Sequence, residues 1–515
     1  MPFLITGRFI REIAKKPAQP VNLDRLRARK AIHNAIHAVR YYPDAGVLSG
    51  FRGSAIAFLP ISEKRTAMSS PPVFTPRLQN SDLSAAASPS PPPQLPPFVS
   101  NRVARYYERA DTWQGGHILH GLPPDDGAVV VSSNDYLNLS FHPEIVRAQA
   151  RSLEQCGNGV LMSAVFLHEG SPQGRFEKRL AGLMGAEDGI VAQSGYAANV
   201  GLLQSVASKD VPVYIDMMAH MSLWDGIQTA GAQARPFIHN DVGHLRRQIQ
   251  RYGTGVLVVD SVYSTNGSLC KLEEIVRAGK DYDCVIIVDE SHSLGTHGSM
   301  GEGLVAALQL TDQVHFVTAS LAKAFAGRGG FITCTKEFKD YFLLESHPAI
   351  FSSSLLPHEI AGFETTLDII MAAAERRERL HQMTRRLRSA LTALGFCVDG
   401  SEQIVALEAG TEQQVIELRD ALQKRRIFGS VFMPPATAKN RALVRMTLNS
   451  GLSDDDLDRI IAACDQLRGE IDVGSWSSSR RHAKSRPEGA ARAEAATGSA
   501  AGSGNAAARL AAQTA

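Results

Sequence analysis

Lys323 sits in VTASLAKAFAGRGGFI, residues 317–332, behind a run of apolar and β-branched residues and ahead of a glycine cluster. Low dielectric disfavours an ammonium, so an amine among small, apolar neighbours loses pKa and becomes nucleophilic at neutral pH. A solvated lysine at a helix start would have the same neighbours. The run CVIIVD ends in Asp289, followed by Glu290, Ser291 and His292. A carboxylate after four apolar strand residues is nearly buried and needs a cationic partner. That partner is either a salt bridge or cap of the protein's own, or a protonated ring nitrogen on a ligand that His292 would also orient. The string QSGYAAN puts Ser194, Gly195 and Tyr196 where a helix begins. Free N–H groups and the helix dipole there suit a phosphate, although an ordinary helix cap uses the same residues. Ser320, three residues before Lys323, is placed to reach that phosphate too.

A phosphate cup, a buried strand-end carboxylate and a small-residue-flanked lysine, in that chain order, meet the requirements of pyridoxal 5'-phosphate (PLP). Its phosphate must be anchored, its ring nitrogen kept protonated and its aldehyde linked to a lysine. Lys323 is then a Schiff-base lysine. The Asp-Glu-x-His string also mimics a helicase box, but the G-x-x-x-x-G-K-S/T loop that would accompany it is missing.

These residues must be carried by strands and helices in alternation. DGIVAQSG, VPVYID, TGVLVVDSVYS, DCVIIVDESHS and QVHFVTAS read as buried strands, separated by helical stretches such as YAANVGLLQSVAS, HLRRQIQRYG and LEEIVRAGKDY. Near-continuous Val/Ile runs between helices predict an α/β fold with a mostly parallel sheet covered on both faces, and ligands at the carboxyl ends of its strands. A helical connector with one solvated face follows from about Pro357 to Leu394. Strand-like QIVALEA and ALVRMTLNS with helical EQQVIELRDALQKRR and DDDLDRIIAACDQL suit a small C-terminal α+β domain.

The 515 residues carry 21% charged side chains and a net charge of +2, which excludes a strong nucleic-acid footprint. The six cysteines form no C-x-x-C pair, arguing against a zinc knuckle or disulfide scaffold and for a reducing, cytoplasmic compartment. No metal site is expected. No apolar run approaches the roughly 20 residues that span a bilayer, so no stable membrane insertion is expected. Residues 1–99, with a basic opening and then a Pro/Ser-rich stretch, read as a disordered extension or as sequence upstream of a true start near Met68. The remaining expected divisions are an N-terminal arm at 100–165, a large cofactor domain at 166–356, connector and small domain at 357–472, and a disordered tail at 473–515.

The ordered strings SNDYLNL, QSGYAANVG, IDMMAHMSLWDG, VDSVYSTNGS, VDESHSLGTHG, TASLAK, FSSSLLP and VRMTLNS resemble the α-oxoamine synthases, fold-type I PLP enzymes. AHMSLWDG, TASLAKAFAGR, PAIFSSSLLP and FGSVFMPPATAKN resemble the CqsA-type autoinducer synthases within them, which make α-aminoketone quorum-sensing signals. The resemblance implies a seven-stranded-type sheet and a decarboxylating acyl-CoA:amino acid C-acyltransferase. Lys323 would hold the cofactor and act as base, Asp289 would pair with the ring nitrogen, and His220 would stack on the ring. Ser264 and His292 would approach its phenolic oxygen, while Ser194, Gly195, Tyr196 and Ser320 would hold the phosphate. Arg445, helped by Asn134, would clamp the substrate carboxylate, and Ser352 or Ser353 would reach the neighbouring subunit of a homodimer. Taken singly, His220 also suits a core histidine and Arg445 a surface strand arginine.

The chain departs from the family pattern at two places. GNGVLMSAVFLHEG lacks the usual glycine-rich stretch with its arginine, and SPQGRFEKRLA lacks a usual histidine. Both put glycine, serine or alanine as amino donor, and succinyl-CoA as acyl donor, in doubt. VLMSAVF would line a path for a longer acyl chain or be core, and Arg328 would contact phosphate or substrate or simply lie exposed. The implied reaction joins a medium-chain acyl-CoA to S-adenosylmethionine or 2-aminobutyrate. Its rivals are another α-oxoamine synthase (aminolevulinate, aminooxononanoate, aminoketobutyrate or sphingoid-base), an aminotransferase, and a non-catalytic pyridoxal-fold regulator.

Overall fold

The computed structural model describes residues 93–111, 119 and 121–485. The expectations for the N-terminal extension up to residue 92 and for 486–515 lie outside the described residues. The chain divides between Pro92 and Pro93, and all the described residues belong to the second unit.

Helix α1 (Pro97–Asp111), short strand β1 (Val129–Val130) and helices α2 (Pro143–Cys156) and α3 (Pro172–Leu183) lead into the main sheet. There β2 (Asp188–Ala192), α4 (Gly195–Val206), β3 (Pro212–Asp216), α5 (Met221–Thr229), β4 (Gln233–Phe237) and α6 (Val242–Tyr252) follow in turn. They are succeeded by β5 (Val256–Asp260), α7 (Leu272–Lys280), β6 (Val285–Asp289), α8 (Leu304–Ala307), β7 (Phe316–Ser320) and β8 (Gly330–Cys334). The seven strands lie in the order β2-β8-β7-β6-β5-β3-β4. Only β8 runs antiparallel to its neighbours; the others pair in parallel. All five sequence-predicted strands are present. β4 and β8 are additions, one an edge strand containing Pro236 and the other starting in the lysine loop's glycines.

The alternation along each strand divides the core. Leu257 and Val259 pack on one side of the sheet with Ile286 and Val288, while Val256 and Val258 pack on the other with Val213 and Ile215. Each such side chain contributes roughly 1.5–3 kcal/mol when fully buried, and helices cover both faces as the parallel arrangement requires. The register sets Asp260 beside Asp289 and Asp289 beside Thr318, so the strand ends bring their polar residues to one edge.

After α9 (Lys336–Glu345) and α10 (His347–Ile350), the connector is two helices, α11 (Pro357–Ala372) and α12 (Ala374–Ala393), broken at Ala373. On α12, Leu380, Met383, Thr384, Leu387 and Leu391 are buried at helical spacing, the one-sided pattern expected. The small domain is β9 (Ile404–Gly410), α13 (Glu412–Lys424), β10 (Ile427–Phe428), β11 (Ser430–Phe432), β12 (Ala442–Thr447) and α14 (Asp454–Leu467). Its sheet is antiparallel in the order β11-β12-β9, and β10 pairs in parallel with β1.

Folded chain continues past the expected boundary at 472. Trp476 is 2% exposed and a final helix α15 spans Ser477–Ser485. Ser478 Oγ donates to the Glu408 carbonyl at 2.7 Å and Ser477 Oγ to its carboxylate at 2.7 Å. A buried Trp and hydroxyls matched to β9 explain why a Ser/Arg-rich stretch packs where composition predicts none.

Candidate active site

A cavity of about 780 Å³ opens at the carboxyl ends of β5, β6 and β7, roofed by β9, β11 and β12 of the small domain. Its lining includes Ser194, Gly195, Tyr196, His220, Ser264, Asp289, His292, Ser320, Lys323 and Arg445. Asn134 joins them indirectly, its Oδ1 accepting from Arg445 Nη2 at 3.2 Å.

Lys323 follows β7 in a loop closed by its own backbone: Leu321 N donates to Gly329 O at 2.9 Å and Ala326 N to Lys323 O at 2.9 Å. The amine is half-buried. Burial, with Arg445 adding to it, pushes its pKa down, and Asp289 opposes them.

Asp289 is 5% exposed at the end of β6. Its Oδ2 accepts from Asn199 Nδ2 at 2.6 Å and its Oδ1 from Ser291 N at 2.8 Å. Among the described residues no cation forms an ion pair with it, so the carboxylate is held by neutral donors. Asn199 Nδ2 also donates to Ser222 Oγ at 2.8 Å, and Ser222 Oγ lies 2.8 Å from His220 Nδ1. Because Ser222 accepts from Asn199, its own proton goes to Nδ1, which also receives Ser222 N–H. His220 therefore carries its proton on Nε2. It caps α5 and is open to the cavity, and burial within the wall lowers its pKa.

His292 is buried, its Nδ1 2.6 Å from the Tyr136 hydroxyl. Burial, then Lys323, Arg445 and His220, hold it well below the usual histidine range, so it is neutral. Arg445 is 7% exposed. Nη1 donates to the Ser264 carbonyl at 2.9 Å, the guanidinium stacks 4.4 Å above the Phe432 ring, and Nε has no partner. Among the described residues no carboxylate pairs with it. A buried arginine without a counter-charge is costly unless an anion arrives.

At the phosphate end, Ser194 caps α4, its Oγ accepting from Ala197 N at 3.0 Å. A Cβ on Gly195 would lie 2.6 Å from Ser320 Cβ and 2.9 Å from its Cα, so glycine lets the start of α4 touch the end of β7. Ser320 N is fixed by Ser291 Oγ at 2.8 Å. Tyr196 is 45% exposed, its hydroxyl bonded to Asp225.

Ser352 and Ser353 are not in this cavity. Ser352 Oγ donates to Pro348 O, and Ser353 bridges Ser163 and accepts from Gln193 at 2.8 Å. Arg328 is exposed and outside the lining. In VLMSAVF, Ala164 is buried, but Val160, Leu161 and Phe166 are 67%, 70% and 66% exposed. Sequence reasoning missed Asn199, Ser222, Ser291, Tyr136 and Phe432. Tyr136 lies inside SNDYL and Asn199 inside QSGYAAN, but their bonds to His292 and Asp289 are tertiary.

The family model of aminotransferase class I and II matches residues 127–463. The CAI-1 autoinducer synthase of Vibrio campbellii is 45% identical over 72% of this chain and 95% of its own length. The chain belongs to the α-oxoamine synthase family of fold-type I PLP enzymes. Two further matches are more distant. The 8-amino-7-oxononanoate synthase 1 of Bacillus velezensis is 28% identical over 74% of this chain and 97% of its own. The solved structure of SPT with PLP superposes with a TM-score of 0.67 at 26% identity, covering 74% of this chain and 100% of that one. This α-oxoamine synthase is therefore a PLP-dependent enzyme that condenses an acyl-CoA with an amino acid. The residues present fit the cofactor: a glycine-lined cradle at α4, a carboxylate held deep by neutral donors, and a pKa-depressed lysine face one cavity. Among the described residues no helix is long and apolar enough to cross a membrane.

Proposed function

We propose that this α-oxoamine synthase joins a medium-chain acyl-CoA to S-adenosylmethionine or 2-aminobutyrate, giving an α-aminoketone precursor of a diffusible quorum-sensing signal. The observation that carries the reading is the 45% identity to a CAI-1 autoinducer synthase over nearly all of that protein. Bound PLP supplies an aldehyde for the lysine and donor amines and a ring that takes up electron density. Ser194, Gly195, Tyr196 and Ser320 would hold its phosphate, Asp289 would pair with its ring nitrogen, and His220 would pack against its ring.

Ser264 and His292 would approach its phenolic oxygen. The Tyr136 hydroxyl, 2.6 Å from Nδ1, holds the His292 ring so that Nε2 would face that oxygen. Arg445, supported by Asn134 and Ser264, fixes the donor carboxylate with the planar fork that such a group matches. Lys323, whose burial favours the uncharged amine, takes the proton from the donor's α-carbon. That carbon then bonds to the acyl carbonyl carbon as the CoA thiolate leaves, and when the carboxylate departs as carbon dioxide the electron pair it leaves on the carbon takes back the proton held at Lys323.

The active unit is a homodimer in which Ser352 or Ser353 serves the other subunit's cofactor. Their position outside their own chain's cavity supports this, as does the exposed VLMSAVF segment, which would guide the acyl chain once covered.

Thiol release by the PLP-loaded enzyme tests the reading. Release with medium-chain acyl-CoA and S-adenosylmethionine or 2-aminobutyrate is expected. Release only with glycine and succinyl-CoA would move the enzyme to aminolevulinate formation. Turnover only with alanine and a dicarboxylic acyl-CoA would move it to the oxononanoate branch.

A further inference from the structure

His297, His381 and Glu402 converge from three elements outside the cofactor cavity. His297 lies in the turn after β6, the turn that begins with Asp289 and His292. His381 is on α12, and Glu402 leads into β9. One ligand-capable atom of each lies within 4.8 Å of the others. His297 Nε2 is 2.9 Å from Glu402 Oε2, and His381 Nδ1 is 4.0 Å from the same oxygen.

The groups behind these atoms decide which protons are available. His381 Nε2 points at the Thr296 carbonyl at 2.9 Å. A carbonyl only accepts, so His381 spends its N–H there and turns the Nδ1 lone pair inward. The Thr296 hydroxyl lies 3.0 Å from the Ser293 carbonyl and 3.0 Å from His297 Nδ1, which holds the His297 ring in place. His297 Nε2 donates to Glu402 Oε2. Ser401 Oγ occupies the other carboxylate oxygen, Oε1, at 2.8 Å. The His381 Nδ1 lone pair and Glu402 Oε2 thus face one point that His297 Nε2 also reaches, and a cation there, in place of the proton shared by His297 and Glu402, binds all three.

We propose that His297 Nε2, His381 Nδ1 and Glu402 Oε2 form a zinc site that fastens the turn carrying Asp289 and His292 to the connector and the small domain. Two imidazoles and one carboxylate are a ligand set zinc accepts, with water as a fourth ligand. Bonds of about 2.0–2.1 Å put tetrahedral ligand atoms about 3.3 Å apart. Reaching that spacing means opening the 2.9 Å contact by about 0.4 Å, closing the 4.0 Å one by about 0.7 Å and drawing together the two imidazole nitrogens, which lie within 4.8 Å of each other. Thr296 and Ser401 supply the outer partners that orient ligating imidazoles and carboxylates. The three side chains are 12%, 25% and 12% exposed in chain order, deep enough to hold an ion and open enough to admit one.

The test loads the full-length PLP enzyme with zinc sulfate, removes weakly held metal by gel filtration, and measures metal per chain and the melting temperature. Wild type is expected to keep one zinc and to melt higher with it. His381→Ala and Glu402→Gln are expected to keep little and to show no zinc-dependent shift. No retained zinc in wild type overturns the site, and one equivalent surviving in both variants places the ion elsewhere. Should the variants fold poorly, X-ray absorption on zinc-loaded wild type decides. Outer-shell scattering from two imidazoles supports the site, and its absence overturns it.

Discussion

At the scale of single residues, the cavity contains charges whose cost is legible in their partners. Arg445 spends two donors on Ser264 and Asn134 and leaves Nε without a partner. Arg445→Ala is expected to raise KM for the amino donor about 10-fold or more, since a charge-assisted hydrogen bond is worth about 1.5–3 kcal/mol. KM for the acyl-CoA should barely change. Steady-state kinetics with each substrate varied in turn check this, and an unchanged donor KM removes Arg445 from the site. His292 gives a pH signature. Its folded pKa lies well below the unfolded value of about 6.5. Between the two, the unfolded chain binds the extra proton, so this contribution to stability is present above about pH 6.5 and is lost as pH falls. Glu290, which burial raises to about 7, runs the other way because its folded form is protonated where the unfolded one is not. The difference between wild type and His292→Asn isolates the histidine: melting curves from pH 7.5 to 5 should show a smaller acid loss in the variant. Equal slopes would mean that His292 is charged in the folded state.

At the scale of elements, the strands that sequence reveals are those buried on both faces, because an unbroken Val/Ile run survives any context. β4, QARPF, was hidden because an edge strand tolerates Arg and Pro236, and β8 because its glycines read as a turn. Gly195 shows the same limit inside the site. Its string predicts a helix start, but only packing shows that it lets α4 meet Ser320. Gly195→Ala is expected to cost about 1–3 kcal/mol of stability by overpacking. It should also weaken PLP retention, because the clash is with Ser320 Cβ and Cα, which cannot move without the β7 backbone. Denaturant unfolding and cofactor titration check the two effects, and wild-type PLP affinity would sink the phosphate-cup assignment. The partners of Asp289 and His292 were illegible for a related reason. Asn199 and Tyr136 lie 90 and 156 residues from them in sequence, and no local pattern encodes a bond across that span.

At the scale of the whole molecule, one chain leaves its apolar surface unfinished. Val160, Leu161 and Phe166 stand 66–70% exposed and Phe351 79% exposed. Their two segments are laced together by Ser354 N to Met162 O at 2.8 Å and Ser163 Oγ to Ala349 O at 2.6 Å. An apolar surface built from two such segments and flanked by Ser352 and Ser353 is what a second copy would cover, since large apolar patches on soluble chains mark interaction sites. Wild type is therefore expected to sediment as a dimer across dilution. Leu161→Glu with Phe351→Glu places two carboxylates in that interface. It should weaken dimerisation at least about 100-fold, because central apolar anchors carry most interface energy at about 2 kcal/mol or more each. If the neighbour's serines hold the phosphate, turnover and PLP retention should fall together as the variant dissociates, and both should recover at protein concentrations that restore the dimer. Sedimentation velocity read beside CoA release separates the outcomes. A variant that stays dimeric places the interface elsewhere, and a fully active monomer confines the site to one chain and removes Ser352 and Ser353 from it.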